Sequence, residues 1–125
     1  MDEVKLTLPA TPDFLRLARV TASGVASRMG FTVDEVEDLR LAIDELCFAL
    51  TGSPPPPGTV ELTYSLDGAS LRVEGVGHFN GHATLPLTLT DLSERILEAL
   101  VDEHELLETD GVPSFRLVKN RQSTA

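Results

Sequence analysis

Few residues in this chain have both the type and the spacing to do chemistry. Within "DLRLAIDELCFALTG", residues 38–52, an acidic pair, Asp44 and Glu45, sits just before the last apolar turn of an amphipathic pattern. A carboxylate placed there can serve as a general base or can simply face water. "VEGVGHF", residues 73–79, sets Glu74 beside Gly75 and Gly77. Glycines so spaced either let backbone approach a phosphate or mark the turn at a strand end. His78 and His82 are separated by "FNG", and its Asn-Gly breaks the helical spacing that would aim both at one metal, so no metal site is expected. Cys47 lies in an apolar run with no local cue for activation and reads as a buried thiol. His104 follows an acidic run with no nucleophile motif nearby.

These residues belong to a chain of 125 residues, 42% of them hydrophobic, which suits one domain over 1–125 with one core. Ten basic residues against twenty acidic ones give a formal net charge of -10, which disfavours nucleic acid and anionic membrane and favours a neutral or basic partner. The one cysteine excludes an intramolecular disulfide. No apolar run approaches the roughly 18 residues that a membrane helix needs. The acidic opening "MDEVKLTLPATPD" lacks the basic-then-apolar order of an export signal, so a cytoplasmic location is expected.

The elements that must position the candidates follow from periodicity. "EVKLTLPA" alternates through Val4, Leu6 and Leu8 and predicts a strand ending at Pro9. Thr11, Pro12 and Asp13 then open a helix that Gly30 stops, its apolar face carrying Phe14, Leu17, Ala18, Thr21, Val25 and Met29. Arg16, Arg19 and Arg28 lie off that face, as solvated residues or as part of a contact surface. "TVDE", residues 32–35, has the form of a capping box. It precedes a helix with the stripe Val33, Val36, Leu39, Ile43, Leu46, Cys47 and Leu50, ended by Thr51 and Gly52. The four prolines of "SPPPPG" forbid helix or sheet pairing and form a stiff connection. "TVELTYSLDGASLRVEGV" predicts a hairpin turning at Asp67-Gly68, with Leu66 opposite Ala69, Tyr64 opposite Leu71 and Leu62 opposite Val73, all on one dry face. Residues 75–90 lack a period and are expected to form a long loop. "DLSERILEALVDE" predicts a helix opened by Asp91 with Glu94, its stripe being Leu92, Ile96, Ala99 and Leu100 with Val101 beside it. "HELLETDGVPSFRLVKN" gives two short strands joined through Asp110-Gly111, with Phe115 and Leu117 inward. The order predicts an α+β two-layer sandwich, a mixed, mostly antiparallel sheet with helices on one face.

Several of these phrases, in this order, resemble the anti-sigma-factor serine/threonine kinases, bacterial transcription regulators with the Bergerat-type, histidine-kinase-like ATPase fold. "GFTVDEVEDLRLAIDEL" is similar to that family's second helix and the start of its N-box, and "ILEALVDEHELLETDGVPSFRLVK" to its closing helix and strand pair. The resemblance runs from about residue 11 to 119. The family's N-box is Glu, three residues, Asn, the Glu implicated as base and the Asn holding Mg2+ against ATP. Glu45 matches the Glu, whereas Ala49, which has no ligating atom, stands at the Asn position. The family's Asp-x-Gly-x-Gly motif is approximated by Glu74, Gly75 and Gly77, with the acid one residue too close and therefore on the other strand face. No counterpart of its glycine-rich lid is found in "GHATLPLTLTDLSERI". The resemblance implies a regulator that binds a sigma factor or a STAS-type antagonist, with ATP use lost or weakened and no cofactor required. The alternative it implies is an active kinase using ATP and Mg2+ on such an antagonist. Family members commonly pair, so a homodimer is a further expectation.

Overall fold

Alternation of apolar and polar residues builds a sheet with one dry face. In β1 (Asp2–Pro9) Leu8 is buried, and in β2 (Gly58–Asp67) and β3 (Ser70–Phe79) so are Val60, Leu62, Tyr64, Leu71 and Val73, while Glu61 and Arg72 face water. Three helices, α1 (Pro12–Arg28), α2 (Val33–Thr51) and α3 (Asp91–Leu100), and a second hairpin, β4 (Glu103–Thr109) with β5 (Val112–Asn120), complete the order. The computed structural model describes residues 2–52, 54–80 and 89–122.

The sheet runs β1-β2-β3-β5-β4, and every pairing is antiparallel, so among the described residues it is antiparallel throughout rather than mixed. The second hairpin docks on β3 through β5 and leaves β4 at the edge. The buried residues of all three helices join those of the inner sheet face in one core, which is the expected two-layer sandwich.

The first hairpin differs from expectation in register. Leu66 pairs with Leu71, Tyr64 with Val73 and Asp67 with Ser70, so the loop is Gly68-Ala69. Gly68 has φ 61° and Asp67 has no positive φ, the pattern of a type II′ turn with glycine first. Pairing moved by two residues, which keeps every side chain on its predicted face. The two-residue turn with both φ positive occurs instead in the second hairpin, at Asp110 (φ 52°) and Gly111 (φ 80°). The expected loop over 75–90 is shorter at its start: residues 75–79 continue β3, because β2 pairs with all of them and β5 with Gly75 and Val76. The rest of that loop from 81 to 88 lies outside the described residues.

The helices also differ in which residues they bury. α1 buries Leu15, Ala18, Ala22 and Ala26 and leaves Phe14 and Leu17 exposed. Its alanine stripe permits close approach to the sheet, where the Tyr64 hydroxyl donates to the Ala18 carbonyl at 2.7 Å. α2 has the predicted capping box: Thr32 Oγ1 accepts from the Glu35 amide and the Glu35 carboxylate accepts from the Thr32 amide. Val33 is 84% exposed, and Glu35 takes the buried place in that first turn. α3 is capped by Thr90, one residue before the expected Asp91, since the Thr90 hydroxyl reaches the Ser93 amide. Leu97 is its buried residue, while Leu92 and Ala99 face solvent. Among the described residues no helix is long and apolar enough to cross a membrane.

Candidate functional site

α2 carries the acidic pair between two neighbours, and its 3.6-residue period sends the two carboxylates in different directions. Asp44 reaches α1, where Arg19 lies at 2.9 Å. That pair holds one of the three α1 arginines. Glu45, half-buried, reaches α3 and accepts a hydrogen bond from the Ser93 hydroxyl, which itself accepts from Thr90 Oγ1 at 2.9 Å. The N-cap of α3 therefore sets the hydroxyl that meets Glu45. Ala49, one turn further along the same helix, offers no donor or ligand.

β3 divides the remaining candidates between its faces. Gly75 and Gly77 are buried on the helix-facing side, whereas Glu74 points the other way, its carboxylate 4.0 Å from Arg72. The inward residue two before Gly75 is Val73, fully buried and without a hydrogen-bonding side chain. Each glycine is required by an aromatic ring of the chain itself. A Cβ on Gly75 would overlap the Phe115 ring. A Cβ on Gly77 would come within 2.5 Å of the Phe79 ring and 3.1 Å of Pro113. The close approach that these glycines permit is thus taken up by Phe115 and Phe79.

The other candidates are placed apart. Cys47 is buried, and burial together with the charge of Asp44 pushes its thiol up to about 12, so no reactive thiolate forms at neutral pH. His78 is exposed, and His82 lies outside the described residues. Among the described residues no cluster of His, Cys, Asp or Glu is able to hold a metal ion. His104 Nε2 lies 2.8 Å from Glu94 Oε2 of α3. Ser93, Thr90 and Phe115 were not singled out as site residues by the sequence. Only the positions of Thr90 and Ser93 at a helix start offered a cue, and the contact to Glu45 spans 48 residues of chain.

No protein-family model matches the chain. RsbW, a serine-protein kinase of Bacillus subtilis, is 50% identical over 46 residues, 37% of this chain and 29% of that relative. The aligned stretch thus spans under a third of that relative's length, and the same share holds for RsbW of Bacillus velezensis, 47% identical over 47 residues, 38% of this chain. RsbW of Bacillus pumilus aligns more broadly, 29% identical over 133 positions that take in 90% of this chain and 82% of the relative. Over most of its length the chain is thus similar to RsbW serine-protein kinases, at 27–29% identity. A crystal structure of the RsbU and RsbW domains of a Mycobacterium tuberculosis protein superposes on all of this RsbW-like chain and on 34% of the other, with TM-score 0.73 and 18% identity. That likeness concerns the fold, which is of the histidine-kinase-like ATPase type.

Proposed function

We propose that this RsbW-like chain is an anti-sigma regulator that acts by capturing a protein, a sigma factor or a STAS-type antagonist, without using ATP. The observation that carries the second half is the filling of the space over Gly75 and Gly77 by Phe115 and Phe79. Among the described residues three features speak against a Mg2+-nucleotide: Val73 has no acceptor for an adenine amino group, Ala49 has no metal ligand, and the Phe115 and Phe79 rings take up the approach over the glycines. The first half rests on the RsbW relatives and agrees with a net charge of -10, which suits a neutral or basic partner. Such a regulator would work in the bacterial cytoplasm, in control of transcription such as a stress response.

A second reading, an active serine/threonine kinase using ATP and Mg2+ on a STAS-type antagonist, is favoured by one observation: Glu45 persists with a hydroxyl already hydrogen-bonded to it. Calorimetric titration of the folded protein with ATP and Mg2+, repeated with ADP and with EDTA, separates the two. We expect no binding, and Ala49→Asn leaves the titration flat because the rings still fill the site. Micromolar, metal-dependent binding by the unaltered protein would reinstate the kinase.

A further inference from the structure

The sheet has two edges, β1 and β4, and they are defended unequally. An edge strand presents unpaired amides and carbonyls, which proteins blunt with lysine, proline, a bulge or a cover. β1 carries Lys5 and ends at Pro9. β4 has neither lysine nor proline, and its register with β5 runs one to one from Glu103 to Thr109, so no bulge twists it away. Among the described residues the backbone of β4 makes no hydrogen bond outside its ladder with β5. α3 lies on its inner face, where His104 meets Glu94, and Glu103, Glu105, Leu107, Glu108 and Thr109 stay exposed.

The charge along this edge is predominantly negative. Glu103 and Glu105 project from the outer face of the sheet and Glu108 from the inner one, while Glu94 and Glu98 lie one turn apart on the neighbouring α3. Arg116 of β5 is shared between Glu103 and Glu105 at 3.5 and 3.4 Å. These are long, exposed contacts worth little, and one arginine between two acids leaves a negative excess. A second copy of β4 would set the same acids against these, and like charges across a strand pair repel. The edge is thus closed to its own copy and open to a strand that carries lysine or arginine.

We infer that β4 is a docking edge for an extended basic segment of another protein, which adds a sixth strand to the sheet through main-chain hydrogen bonds. Lysine or arginine at alternate positions meets Glu103 and Glu105, and an apolar residue meets Leu107. Ser93 turns to Glu45 and Glu94 to His104, so α3 stands between this edge and the Glu45 contact. The inference does not rest on the regulatory reading above, since it requires neither a sigma factor nor the loss of ATP use.

The test is a fluorescence-anisotropy titration of the full chain into a labelled peptide of about eight residues, the length of an ordinary strand, in which lysine alternates with threonine and valine. Its control is the same peptide with every backbone amide N-methylated, which keeps each charge and removes each donor. Amide hydrogen exchange of the protein locates the contact. Saturable one-to-one binding is expected, with slowed exchange at β4 and at least about tenfold weaker binding of the methylated peptide. Glu105→Lys and Glu108→Lys, at exposed positions on opposite faces of the strand, should each weaken binding about tenfold with the circular dichroism unchanged. Absence of saturable binding overturns the site. Equal binding of the methylated peptide reduces the contact to charge alone and overturns the added strand. An affinity that neither variant alters, or protection at β1 in place of β4, overturns the assignment of the edge. Protection of β4 that rises with protein concentration in the absence of peptide shows a second copy there and overturns the choice of occupant.

Discussion

The two ends of α2 treat a glutamate differently. Near the N-terminus, Glu35 is 6% exposed and is held by its own turn and by the chain at Gln122. Backbone amides of Thr32 and Gln122 donate to its carboxylate at 2.8 and 2.7 Å. Burial pushes its carboxyl up, but these donors and the charge of Lys119 outweigh that and hold it below the usual carboxylate range. Toward the other end Glu45 meets one hydroxyl, from a side chain on another helix. Fixed backbone donors make Glu35 part of the architecture. A single rotatable partner leaves Glu45 replaceable, and the nearby glycines serve the chain's own rings.

The largest test of this contrast lies at those rings. Gly75→Ala forces a methyl group into the Phe115 ring and should cost about 2–3 kcal/mol in urea denaturation. Combining it with Phe115→Leu should recover part of that loss, a coupling expected of residues in contact. An unchanged stability for Gly75→Ala would mean that the glycine is reserved for something other than packing. Next in size, Glu35→Ala should cost about 1–2 kcal/mol at neutral pH, as the loss of a helix cap and its charged acceptor does. The folded pKa of Glu35 lies below its unfolded value. Its contribution is therefore complete above about pH 4.3 and fades as pH falls through the depressed folded value, and Glu35→Gln should flatten that part of the stability curve. Smallest of all, Glu45→Gln should shift stability by no more than about 0.5 kcal/mol, since the amide oxygen still accepts from Ser93. A loss equal to that of Glu35→Ala would erase the distinction between the two glutamates.

What was legible in the sequence depended on the range over which the deciding contact acts. The capping box at Thr32 and Glu35, the stop at Gly52 and the inward face of Leu62, Tyr64, Leu71 and Val73 are matters of local spacing, and they were read correctly. The turn of the first hairpin was placed one residue early because Asp-Gly suits a type I′ loop, whereas the strands here close around Gly68-Ala69. The α1 face was misassigned because Phe14 and Leu17 outweigh alanine in hydrophobicity, yet alanine is what lets a helix sit close to the sheet. Residues 75–79 were read as loop because glycine weakens a strand in isolation; β2 pairs with every one of them, and Phe115 and Phe79 use the space that the glycines leave. Glu45 was legible as a residue, but its partner was not, since nothing local links α2 to Ser93.

The Gln122 amide that reaches Glu35, and its neighbour Arg121, whose guanidinium donates to the Met29 carbonyl at 2.8 Å, have a consequence for how the chain matures. Both ties bind the turn between α1 and α2 to residues synthesised almost a hundred positions later. During synthesis this helical corner, with its local capping box, therefore precedes the two residues that tie it down. A chain that stops before Arg121 would contain the residues of every described strand and helix but lack both hydrogen bonds to that first corner.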